Sequence, residues 1–326
     1  MDRRTFVRAI ALCVLAEPFA ARAQRASKVH RIGYLNLRAG PVAQDEAFFQ
    51  GLRELGYVEG RNLLIDYRWA AGKEDRLPAL AAELVQLNAE VIVASATPAV
   101  SAAKRATSTI PIVMTAVADP VGDGLVASLG HPGGNVTGMT LLSTELAGKR
   151  LQLMRELLPH ATRIAVLALG TGFDATPLLL TALRAAAQKL DLELFIQLVT
   201  KAEELPGAFT EFQKAGAQAL IVQLSPLSID RRDTIVELAA QHRLPAMYEL
   251  RPFVDIGGFV AYGPDAVAMY RRAAIYVDRI FKGAKPEDLP IEQPTKFEFV
   301  INLKTTKALG LTIPQPVLVR ANEVIR

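Results

Sequence analysis

Two rhythms of apolar and polar residues alternate along this chain. Short apolar runs at His30–Asn36, Leu63–Trp69, Val91–Ser95 and Ile112–Thr115 read as strands. Between them, Asp45–Leu55, Asp75–Leu87 and Pro98–Thr107 carry helical spacing, clearest at Leu77, Leu80, Ala81, Leu84 and Leu87. Gly56 and Gly60 fall where a helix ends and the chain turns into the next strand. After a turn-rich stretch at Gly130–Asn135 the pattern restarts. Arg163–Leu169, Glu193–Val199, Ala219–Leu224 and Pro245–Glu249 read as strands, and Thr176–Leu190, Leu205–Ala215 and Ile229–His242 as helices. Buried apolar strands separated by helices predict parallel sheets covered on both faces, hence an α/β fold of two Rossmann-like lobes.

The tail does not continue the repeat. Gly257–Gly263 predicts a strand, Asp265–Phe281 a long helix, Pro290–Val300 an extended segment and Leu303–Leu309 a short helix. These pieces are too few for a third domain, so they are expected to complete the two lobes by multiple crossovers. The expected division gives one lobe residues 29–140 and about 264–292, and the other about 141–263 and 293–326. Several crossings make a hinge, and a hinge makes a cleft that opens and closes.

The first 23 residues differ in kind. Asp2–Arg8 is positively charged, Ala9–Ala16 is apolar, and Ala21-Arg22-Ala23 supplies small residues before a cleavage point. This predicts a signal peptide and a periplasmic destination. The Arg3-Arg4 pair followed by Phe6 fits twin-arginine export as well as general secretion. The apolar stretch falls well short of the ~20 residues that cross a bilayer. Cys13, the only cysteine, lies within it, so the mature chain offers no disulfide, thiol nucleophile or thiolate metal site.

Composition then narrows the function. Hydrophobic residues make up 51% and charged ones 21% of the 326 residues, enough for two cores. The formal charge of +4 shrinks once the signal's four Arg and two acids are set aside, leaving 33 basic against 31 acidic groups. No basic stripe with interleaved aromatics remains, and no nucleic-acid partner is expected.

Two enzyme motifs compete for attention. Gly170-Thr171-Gly172-Phe173-Asp174-Ala175 has GxGxxA spacing between a strand and a helix. The acid that should close the next strand is missing, since Asp191 and Glu193 open it and Thr200 and Lys201 end it. Ser101-Ala102-Ala103-Lys104 has S-x-x-K spacing without its companion motifs. The four His residues are scattered, without metal-site spacing, and no P-loop is present. No catalytic residue, metal or cofactor is expected; an exported cofactor-dependent enzyme is the competing reading.

Ligands of open α/β sheets sit at the carboxyl ends of the strands, beside helix N-termini. That rule selects Asn36, Ser95, Thr97 and Asp119 from the first lobe, and Phe173, Asp174, Ser225, Tyr248 and Glu249 from the second. Ser95 and Thr97 could favour an anion or simply cap their helix, and Asp119 could take an ammonium or cap its own turn. Phe173 and Tyr248 could cover an apolar ligand face or pack on their own lobe.

Long stretches resemble one family. They are Arg31–Leu35; Asp119–Gly122 running through Gly124–Leu129 to Pro132–Gly138; Pro294–Lys304; Ala308–Pro314; and Arg320–Ile325. The chain is similar over essentially its whole mature length to ABC-transporter substrate-binding proteins of the tryptophan/tyrosine type, with the type I periplasmic-binding fold. The resemblance implies a non-enzymatic, monomeric receptor that holds a small ligand between its lobes, an amino acid or related carboxylate. It also implies an inner-membrane ABC permease as partner. A sensor that feeds a membrane receptor would use the same fold.

Overall fold

The computed structural model describes residues 28–170 and 177–326. The expected signal peptide with Cys13, the site candidates Phe173 and Asp174, and all of the GxGxxA stretch after Gly170 lie outside the described residues.

The first lobe is built on five parallel strands: β1 (His30–Asn36), β2 (Leu63–Trp69), β3 (Val91–Ser95), β4 (Ile112–Val117) and β5 (Val136–Thr140). They lie in the order β2-β1-β3-β4-β5. Between them run α1 (Ala43–Glu54), α2 (Leu77–Gln86) and α3 (Thr97–Ala106). The central strand β3 is buried at every position, which explains its apolar run, and the edge strand β5 is buried throughout as well. β5 was not anticipated, because its Val136-Thr137-Gly138-Met139-Thr140 sequence mixes polar and glycine residues into a short run.

The second sheet has seven strands in the order β12-β11-β10-β9-β8-β6-β7. In chain order they are β6 (Arg163–Leu169), β7 (Glu193–Val199), β8 (Ala219–Val222), β9 (Ala246–Tyr248), β10 (Val260–Pro264), β11 (Phe297–Asn302) and β12 (Glu323–Ile325). β6 to β10 are parallel, and β11 runs antiparallel to β10. This mixed edge departs from a purely parallel sheet, because β11 returns from the other lobe instead of closing a βαβ unit.

The helices here are α4 (Ser143–Leu157), α5 (Pro177–Lys189), α6 (Leu205–Lys214), α7 (Pro226–Asp230), α8 (Arg232–Gln241) and α9 (Pro252–Asp255). The single helix expected over Ile229–His242 is two, broken at Arg231, whose φ of −115° and ψ of 22° leave the helical region. The tail adds α10 (Ala266–Phe281), α11 (Leu303–Ala308) and α12 (Gln315–Leu318).

Three segments carry the chain between the sheets. The first runs from Thr140 to Ser143 through Leu142, a left-handed residue at φ 54°. The second joins β10 to α10, whose buried Met269, Tyr270, Ala273 and Val277 pack in the first lobe with Tyr34, Phe48 and Leu52. The third returns along β5: Glu292 N–H donates to Gly138 O at 2.9 Å, and Thr140 N–H donates to Glu292 O at 3.1 Å. These three segments form the hinge region between the two sheets.

Gly138 fixes that hinge. Its φ is +126°, and a Cβ there would stand 2.2 Å from Met114 O of the neighbouring strand. We expect Gly138→Ala to cost about 3 kcal/mol, since it combines a left-handed φ with a backbone overlap. Urea denaturation of the two chains would measure this; equal midpoints would refute it.

Candidate functional site

The carboxyl ends of β1, β3, β4 and β8 converge on the space between the lobes. A cavity of about 50 Å³ remains there, walled by Arg38, Ser95, Thr97 and Tyr270 from one lobe and Gln223, Ser225 and Ile229 from the other. Ala116, Leu141, Leu179, Leu224 and Pro226 give it a mainly apolar surface. The lobes touch across it. Ala39 N–H donates to Asp230 Oδ2 at 3.3 Å, and a Cβ on Gly122 would lie 2.4 Å from Leu178 Cδ1 of the opposite lobe. Leu224 packs against core residues of both lobes.

Ser95 and Thr97 stand at this cavity, but neither caps α3. The cap position is Ala96, at φ 68° and ψ 156°, with no side-chain hydrogen bond. That conformation is one L-residues rarely take, and it is held by the surrounding structure at a cost of about 1–3 kcal/mol. The Ser95 hydroxyl instead pairs with Tyr270 Oη at 2.6 Å, and the Thr97 hydroxyl donates to Asp123 Oδ2 at 3.0 Å. Their capping role is thus corrected: the hydroxyls tie α3 to α10 and to the loop after β4.

Asn36 lies behind the cavity wall, fully buried, and its Oδ1 accepts from Arg38 N and Nε at 3.1 and 3.2 Å. Asp119 turns on its own loop, accepting from Gly122 N–H at 2.8 Å. Ser225 caps α7 by accepting from Ser228 N–H at 3.1 Å while lining the cavity. Tyr248 is not at the cleft. It is 1% exposed in its own lobe's core, where it stacks on Phe253 at 4.8 Å in a cluster with Leu250 and Val254.

Glu249, 4% exposed, sits beneath the cavity floor. Its carboxylate accepts from the Ser143 hydroxyl at 2.9 Å and Leu224 N–H at 3.1 Å, and pairs with Arg150 Nη2 at 2.8 Å. Arg150 in turn donates to Tyr262 O at 2.9 Å. Burial pulls the Arg150 pKa below its usual value, and Glu249 opposes that pull. Glu249 therefore supports the cavity floor from below.

Sequence reading missed Arg38 and Asp45. Arg38 Nη2 donates to both Asp45 oxygens at 2.7 Å, and Asp45 also accepts from Tyr34 Oη and Val42 N–H. Arg38 is 2% exposed, with its guanidinium carbon 5.8 Å from the Trp69 ring centre. Their signal in the sequence was a charged pair flanking the strand end, one on each side of the turn into α1.

These features describe a two-lobed α/β protein with a candidate binding cleft at the strand ends. The family described as "ABC transporter substrate binding protein" matches residues 41–325, and the chain belongs to it. Over 267 residues it is 29% identical to the tyrosine-binding protein of Clostridioides difficile, covering 82% of this chain and 76% of that one. A conserved domain protein of Vibrio cholerae O1 biovar El Tor is 30% identical with a TM-score of 0.86, over 91% of this chain and all of that one. An ABC domain from Streptococcus pneumonia in complex with L-Trp is 27% identical with a TM-score of 0.83, at the same coverage. The family is one of substrate-binding proteins, and this chain is such a protein and not an enzyme. No helix among the described residues is long and apolar enough to cross a membrane.

Two outcomes follow from this geometry. Removing the Glu249 carboxylate strands a buried guanidinium, so Glu249→Ala should destabilise the protein by about 3–5 kcal/mol. Guanidinium denaturation would measure it, and a loss under 1 kcal/mol would contradict the role given to the pair. Burial and nearby Asp119 raise the Asp123 pKa to about 6, against the Thr97 hydrogen bond. Folding then favours the protonated acid, a contribution complete below about pH 4 and lost as pH rises through about 6. Melting temperatures of wild type and Asp123→Asn should diverge over that window, the wild type falling; parallel curves would sink the assignment.

Proposed function

We propose that this chain is the receptor of an ABC importer and captures an aromatic L-amino acid between its lobes. The observation that carries the reading is the mainly apolar cleft, with a few fixed polar groups at the strand ends. An aromatic side chain suits the apolar walls, while the polar groups suit the backbone atoms of a free amino acid. The named specificity of the tyrosine-binding relative and the L-Trp complex support the same class.

The signal-like N-terminus supports a periplasmic location for the receptor. There it acts as a monomer, one ligand per chain, and delivers its cargo to an inner-membrane permease. The lobe division follows the crossovers: residues 29–140 and about 264–292 move against residues 141–263 and 293–326. Closure desolvates the ligand, and only the closed form presents both lobes together.

Isothermal titration of the folded protein with L-tyrosine and L-tryptophan should show one site of micromolar affinity or better. Small-angle scattering should show compaction on saturation. Absence of binding to both, with a sugar or nucleoside binding instead, would overturn the proposal.

A further inference from the structure

We propose that Arg38 is the anion-recognising residue of the cleft, and that its Nη1 and the first-turn amides of α3 together receive the ligand's carboxylate. This rests on the reading that the cleft holds an amino acid.

The guanidinium is held from two sides. Nη2 is committed to Asp45 at 2.7 Å and Nε to Asn36 at 3.2 Å, which fixes the plane of the group. Nη1 is buried and has no hydrogen-bond partner among the described residues. A charged donor shut away unpaired is costly, and such groups are normally satisfied by something. Arg38 lines the same cavity as Ser95, Ala96 and Thr97.

α3 supplies the second half. It spans ten residues, carries no acid in its first turn and has no side-chain cap. Pro98 removes one amide, leaving those of Thr97 and Ala99 to its open positive end. The hydroxyls that could have capped them are committed to Tyr270 and Asp123. An oxyanion between Arg38 and this turn would satisfy both sets of donors.

The charge balance selects the kind of anion. Asp45 already neutralises Arg38, so the subsite offers donors with little net positive charge. Asp119 and Asp123 stand near by on the loop after β4. A dianion such as phosphate would be left uncompensated. A monoanionic carboxylate on a zwitterion keeps the closed cleft near neutrality.

Titrating L-tyrosine, L-tyrosinamide and tyramine into wild type and Arg38→Met tests this. Wild type should prefer L-tyrosine to either analogue by at least about 30-fold, as expected when a buried charged donor loses its acceptor. Arg38→Met should lose most of that preference, weakening L-tyrosine by at least about 10-fold more than tyramine. A merely structural role would weaken all three ligands alike. Arg38→Lys keeps the Asp45 pairing should the Met variant misfold, and should lose the preference in part. Equal binding of all three by wild type, or an undiminished preference in both variants, would overturn the proposal and leave the aromatic-ligand reading standing. If wild type binds none of the three, that reading fails. A panel of other small carboxylates and their amides then decides Arg38: a carboxylate preference lost in the variants supports it, and a neutral ligand overturns it.

Discussion

The carboxylate of Glu249 and the guanidinium of Arg150 meet where the hinge, the second sheet and the cavity floor come together. Arg150 reaches from α4, the helix that begins where the chain first crosses between lobes, to the backbone of β10, where it prepares to cross back. Glu249 reaches from the end of β9 to Ser143 at the first crossing and to the amide of Leu224 at the floor. A buried pair of this kind gains little net stability over apolar packing, because both charges lose water. What it supplies is position. With both partners 4% exposed or less, neither can shift without stranding the other, so the crossover and the cavity floor are held in one geometry.

The first lobe solves the matching problem with another buried pair. Arg38–Asp45 lies between β1 and α1, and Tyr34, Asn36 and Val42 add hydrogen bonds to it. Each lobe thus brings its own internally neutral charge cluster to the cleft. Lobes that arrived with bare charges would face a desolvation cost at every closure, and that cost would compete with ligand binding. Here closure mainly buries apolar residues such as Leu141, Leu179 and Leu224, which favours it.

Most of the fold was legible because strand runs and helical spacing dominate this chain. β1, β2, β3, β6 and β7 begin and end where the apolar runs do. The losses have physical causes. β5 hides because Thr137, Gly138 and Thr140 are polar or small for reasons of the hinge: Thr137 donates to Leu289 O and Gly138 admits Met114 O. α4 carries its stripe at Ala147, Leu151, Met154 and Leu157, but the buried Ser143 and Arg150 on the same helix interrupt its apolar rhythm. The antiparallel β11 follows from a crossover whose direction no local pattern encodes.

The site was legible in place but not in detail. Strand-end reasoning led to Ser95, Thr97 and Ser225, all at the cavity, because that rule depends on topology alone. It failed for Tyr248 and Glu249, where only tertiary packing decides that one side chain turns into the core and the other runs beneath the floor. It passed over Arg38, because a lone arginine beyond a strand end looks like a solvated charge until Asp45 and Trp69 are seen to enclose it.

That enclosure has a consequence for selectivity. Most polar groups around the cavity are committed to one another: Ser95 to Tyr270, Thr97 to Asp123, Ser143 to Glu249 and Ser225 to Ser228. Committed groups tolerate a passing ligand but do not choose it. Discrimination falls to the few donors that closure would leave unpaired, since a ligand without a matching acceptor would bear their full desolvation cost. A cleft organised in this way can be permissive toward the apolar part of its ligand and strict toward its charged end.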